Sequence, residues 1–156
     1  MNHIVTLDSQ ANEIENLIHG TKSMIIHGAD EKCIPYGIVE EGDVLYFVTS
    51  ENHAKVKAKA VVSSVYNSYQ LSETESYEMI IRNQDKLFLP DDLFYKWAGK
   101  KYLVLIGLRD VEEVQPFHIF RNSRSYKDAW VSVGNIEDSV LRDFKKRPDA
   151  SARIST

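Results

Sequence analysis

The chain has a single cysteine, Cys33, so no intrachain disulfide can form and a reducing, cytoplasmic setting is expected. No apolar run approaches the roughly 20 residues that cross a bilayer. Met1–Asp8 shows no basic stretch leading into an apolar one, so neither a secretory signal nor a membrane partner is expected. Positive charge is in the minority, with 19 basic against 23 acidic residues and a formal net charge of −4. That balance favours solubility over attraction to phosphate backbones, and nucleic acid is not expected as a partner. Also missing are Gly-x-Ser-x-Gly, a P-loop and Gly-x-Gly-x-x-Gly, which removes the sequence case for serine hydrolase, P-loop and Rossmann chemistry. His27, His53, His118 and Cys33 show no ligand spacing, so no metal site is expected. Cys33 reads as a small apolar residue near a strand start.

What is present fits one ordinary domain. Hydrophobic residues make up 43% of the 156 and charged residues 27%, enough to build a core without staples. The four prolines, Pro35, Pro90, Pro116 and Pro148, fall at expected element boundaries. A helix is predicted over 8–19, with Ile14, Leu17 and Ile18 on one face and Gly20 as its stop. Strands are predicted at Ser23–His27, Pro35–Glu40 and Val44–Thr49, the last two joined by the turn Glu40-Glu41-Gly42-Asp43. Residues 52–59 read as a short basic helix and Ala60–Tyr66 as a strand. Ser72 and Glu75 form a capping box opening a helix to Arg82, and Pro90–Ala98 reads as another helix. Tyr102–Leu108 is the strongest strand signal, continuing through Asp110–Phe120, and Ile136–Lys146 closes the pattern as a helix before a frayed tail at about 148–156. The fold class expected is α+β, mainly β: one domain over 1–156, a small antiparallel barrel with flanking helices.

Three segments then carry a resemblance: Asp30-Glu31-Lys32-Cys33-Ile34-Pro35, Gly42-Asp43-Val44-Leu45-Tyr46-Phe47-Val48-Thr49, and His53-Ala54-Lys55-Val56-Lys57. Their order resembles the FMN-binding split barrel of the pyridoxamine 5′-phosphate oxidase-like superfamily. The resemblance implies a flavin-dependent oxidoreductase that works as a homodimer, with FMN in a groove between subunits and a small-molecule electron donor or acceptor. It places the FMN phosphate at Thr49, Ser50 and Lys55, with His53 and Lys57 behind them, and the flavin ring along Pro35, Tyr36 and Gly37. His53-Ala54 stand where that family has Ser-Arg, which leaves F420 or haem as alternative cofactors on the same fold, and a cofactor-free dimeric binding module as the reading from another class. No catalytic side chain is assigned. The loop Arg121–Trp130, basic and aromatic, reads first as a solvated loop whose Trp130 packs on the barrel.

Overall fold

The computed structural model describes residues 1–52, 54–119 and 129–140. Along the chain these form β1 (Asn2–Leu7), α1 (Glu13–His19), β2 (Met24–Ala29), β3 (Val44–Thr49), β4 (Lys55–Asn67), α2 (Glu73–Arg82), α3 (Gln84–Leu87), α4 (Asp91–Trp97), β5 (Tyr102–His118), β6 (Trp130–Gly134) and a short 3-10 turn, Ile136–Ser139. One six-stranded sheet holds them together in the order β2-β5-β4-β3-β1-β6. The architecture is mainly β with flanking helices, a curled half-barrel. Its sheet is mixed rather than wholly antiparallel, because β1 lies parallel to β3, from Asn2 opposite Val44 to Leu7 opposite Thr49.

Period-two alternation builds the centre. In Lys55-Val56-Lys57-Ala58-Lys59-Ala60 the apolar positions are fully buried and the lysines half-buried, so the stretch is the start of a long strand, not the basic helix expected over 52–59. Lysine and alanine favour helices, but a helix would scatter these side chains around its axis, whereas a strand puts every second one in the core. On β5 the run is apolar at every position because both faces are covered. Val104 and Ile106 face the inside of the curl with Phe47, Ala60 and Val62. Leu103 and Leu105 face outward, where Met79, Ile80, Leu87 and Leu93 of the helices cover them.

Pro35–Glu40 is a turn, not a strand, around a cis Ile34–Pro35 bond. Proline offers no N–H to a ladder, and Gly37 sits at φ +72°, a left-handed conformation that breaks a strand. The Tyr36, Ile38 and Val39 N–H groups turn back onto the Cys33 and Pro35 carbonyls. Cys33 itself is exposed on this turn, not tucked beside a strand. The capping box at the start of α2 forms as expected: Ser72 Oγ accepts from the Glu75 N–H at 3.1 Å and Glu75 Oε1 from the Ser72 N–H at 2.8 Å. At the C-terminal end only the 3-10 turn Ile136–Ser139 stands where the helix Ile136–Lys146 was expected to open, and residues 141–156 lie outside the described part. Among the described residues no helix is long and apolar enough to cross a membrane.

Candidate functional site: the open seam of the half-barrel

The curl brings β1 and β2 face to face although no backbone bonds join them. Between them lies a cavity of about 130 Å³ bordered by Val5–Leu7 of β1 and Ile25–His27 of β2. Helix α4 closes one side with Leu93, Lys96 and Trp97, and Ala129 and Trp130 close another. At ~30 Å³ per water the space holds about four waters, the scale of one flat ring system.

Each wall is held by a specific contact. The Trp97 ring lies 5.4 Å from the His27 ring at an angle of 47°, and Lys96 Nζ stands 4.7 Å from the Trp97 centroid. Trp130 is buried, and its indole N–H donates to His3 Nδ1 at 3.2 Å. An indole nitrogen only donates, so Nδ1 is the acceptor there and His3 carries its proton on Nε2. That N–H donates to Asp43 Oδ2 at 2.8 Å, and the Ser132 hydroxyl lies 2.9 Å from Nδ1. His3 is fully buried, so this relay fixes Trp130 from behind. At the other wall, Glu13 Oε2 accepts the Asp8 N–H at 2.8 Å, while Oε1 faces the buried Lys22 ammonium at 3.5 Å. The Thr6 N–H donates to the Ala129 carbonyl at 2.9 Å and joins the strand to the tryptophan segment. The Thr6 hydroxyl, on the same border, is buried without a hydrogen-bond partner among the described residues.

Burial lowers the pKa of His27 below the ordinary histidine value of 6.5, and the neighbouring Lys96 charge acts in the same direction. At neutral pH the seam therefore presents a neutral imidazole, able to donate from one nitrogen and accept at the other. A histidine pKa lower in the folded state means that the unfolded chain takes up the proton first. Stability must then fall as pH drops through 6.5, and the loss levels off below the folded value. Urea unfolding at stepped pH should show a smaller acid loss for His27→Gln than for wild type across that window. Equal losses would remove His27 as the cause.

No protein-family model matches the chain, and no curated protein matches it in sequence. Solved structures do match. A serine-to-alanine variant of ZmASCH from Zymomonas mobilis covers 88% of this chain and 91% of its own, with a TM-score of 0.64 and 11% identity. ASCH from Zymomonas mobilis covers 88% and 90%, with a TM-score of 0.63 and 10% identity. A tyrosine-to-phenylalanine variant covers 88% and 93%, with a TM-score of 0.63 and 10% identity. The chain shares the fold of these ASCH structures.

This overturns the split-barrel flavoprotein expected from residues 30–57, and with it the oxidoreductase reading. The strand–turn–strand text that carried the resemblance serves a different topology here. Val44–Thr49 pairs in parallel with β1, and Pro35–Glu40, which should have lined a flavin, is a turn. The residues assigned to the cofactor fall in two places: Thr49, Ser50 and Lys55 flank one turn, and Pro35, Tyr36 and Gly37 belong to another. Pro35, Tyr36 and Gly37 sit by the far end of β4, where Gly37 N–H donates to Asn67 Oδ1 at 2.9 Å and Tyr36 packs edge-on against Tyr102. Lys55 and Lys57 lie on β4 in mid-sheet, Lys55 opposite His118 of β5. Thr49 is buried, its hydroxyl accepting the Asn52 N–H at 3.2 Å. His53 falls outside the described residues. Only Ser50 borders the seam cavity, with its Oγ 3.1 Å from Ser9 Oγ. Trp97, Glu13 and Lys22 were not among the expected site residues, and His27 entered only among the histidines without metal-ligand spacing. The one available signal was an aromatic beside basic residues, Lys96-Trp97 before Lys100-Lys101, and it was absorbed into a helix prediction.

Proposed function

We propose that the chain binds RNA and takes one extruded base into the seam between β1 and β2. The observation that carries this reading is the small, tryptophan-walled cavity at the open seam of an ASCH-type half-barrel. RNA is read mostly through unstacked bases that stack on aromatic side chains and show their edges to polar groups. Trp97 supplies the stacking face, and neutral His27 and the Thr6 hydroxyl supply edge contacts. The formal net charge is −4, and of the residues lining the seam Lys96 is basic beside acidic Asp8 and Glu13, with Lys100 and Lys101 following Trp97 in sequence. Such a module would bind weakly and with a shallow salt dependence, because few cations face the backbone.

Trp97→Ala should weaken binding of a labelled single-stranded oligoribonucleotide, measured by fluorescence anisotropy, by about tenfold or more. That matches ~1–3 kcal/mol for one stacked base. Trp97→Phe should keep most of the affinity. Unchanged affinity in Trp97→Ala, or no binding by the wild type at any salt concentration, would sink the reading.

A further inference from the structure

Next to the seam lies a larger cleft of about 610 Å³. The two cavities share Asp8 and Leu93 as lining residues, so they are neighbours across one wall. Nothing in the seam reading uses this cleft, yet its chemistry is as defined as that of the seam.

Three features set its preference. First, Phe88 lines it, half-exposed and at φ +49°. A bulky non-glycine residue in the left-handed region is strained, and an exposed phenyl ring gains little from burial, so the fold keeps this ring in place at a double cost. Gln84 maintains the loop, with its amide closed on the Leu89 backbone through Nε2 to the carbonyl at 2.7 Å and Leu89 N–H to Oε1 at 3.0 Å. Second, two carboxylates line it beside the Gln10 and Asn16 amides. Asp8 uses Oδ1 on the Gln10 and Ala11 N–H groups at 2.8 and 3.0 Å, which leaves Oδ2, and Asp92 has no ion partner among the described residues. Third, no lysine, arginine or histidine lines the cleft. A phosphate would meet two carboxylates there and be repelled, whereas a flat group rich in N–H donors would meet an aromatic face and acceptors.

We infer that this cleft is a second base subsite, which stacks the nucleotide next to the extruded base on Phe88 and reads its donor edge with Asp92 and Asp8. The inference rests on the RNA reading of the seam and adds a sequence preference to it. Guanine fits best, because its N1–H and N2 amine offer adjacent donors to a carboxylate. Adenine and cytosine offer one amine each. Uracil fits worst, since its single N–H is flanked by carbonyls that face the carboxylates.

Tryptophan fluorescence tests this with mononucleotides and dinucleotides. A ribomononucleotide reports the seam alone. Dinucleotides that join its best-bound base to guanine or to uracil, in both orders, report the second subsite. The guanine dinucleotide should bind about tenfold tighter than the uracil one in at least one order. That preference should fall below about twofold in Asp92→Asn, an exposed position, and in Phe88→Gly, which suits the left-handed backbone and removes the ring. If mononucleotides bind but guanine and uracil dinucleotides bind alike, or if the preference survives both substitutions, the second subsite is wrong and the seam reading stands. If mononucleotides fail to bind, the RNA reading fails and the second subsite falls with it.

Discussion

Asp43→Ala should destabilise the protein by about 2–4 kcal/mol, as expected when a buried imidazole N–H and a backbone N–H lose their acceptor. Asp43 is buried, and three donors converge on its carboxylate: His3 Nε2 at 2.8 Å, the Glu40 N–H at 2.9 Å and the Met1 ammonium at 3.1 Å. Alanine would leave a fully buried imidazole N–H and a backbone N–H without their partner, and His3 in turn orients the Trp130 indole. Asp43→Asn keeps one acceptor oxygen and should cost less. The carboxylate also carries a pH signature. Burial pushes its pKa up, but the Glu40 N–H, His3 and the N-terminal ammonium together outweigh burial and hold it below its ordinary 3.8. Its contribution is therefore complete above that value and lost as pH falls below it. Urea unfolding at pH 7 should show the full loss for the alanine variant, and the gap from wild type should narrow in strong acid. A loss under about 1 kcal/mol at pH 7 would mean that water replaces the carboxylate without cost.

Glu13→Ala should cost about as much, roughly 3 kcal/mol, for a related reason. Lys22 is 1% exposed, and its ammonium has Glu13 Oε1 at 3.5 Å and the Leu87 carbonyl as described partners. Burial lowers the Lys22 pKa from 10.5, and Glu13 pulls it part of the way back. A lysine pKa lower in the folded state means that the unfolded chain holds the proton longer, so stability rises with pH across the window just below 10.5. Without Glu13 the folded value drops further, so the rise should be larger and begin at lower pH. The variant should then recover part of its loss between neutral and alkaline pH, and Glu13→Ala combined with Lys22→Met should be more stable than Glu13→Ala alone. Failure of the double variant to recover would place the damage at the Asp8 corner, whose N–H Glu13 also accepts. That corner separates the seam from the larger cleft, so the outcome also bears on how the two cavities are kept apart.

Much of the fold was legible where local chemistry decides it. The Ser72–Glu75 capping box, the β-rich run Val44–Thr49 and the apolar run from Tyr102 all formed where expected. Local chemistry misled where partners distant in sequence decide. Lys55–Ala60 has the composition of a helix and becomes a strand because Val56, Ala58 and Ala60 find a core on one side. β1 was not predicted, since its stability comes from β3 on one edge and β6 on the other. The candidate site was almost wholly illegible for the same reason. Val5, His27, Trp97 and Trp130 come from four separate stretches and meet only because the sheet curls. The Gly42-Asp43 turn that suggested a flavin barrel is better explained by Asp43 gathering donors from β1 and its own turn.

The protein has only two tryptophans, so an amide-proton NMR correlation spectrum carries two indole N–H signals, from Trp97 and Trp130. Titration with a short single-stranded oligoribonucleotide should shift the Trp97 indole and the backbone amides of Val5–Asp8 and Ile25–His27. The Trp130 indole, hydrogen-bonded to His3, should move less. Shifts confined to another surface, such as the Tyr36–Tyr102 pair, or no shifts at all, would contradict base capture at the seam.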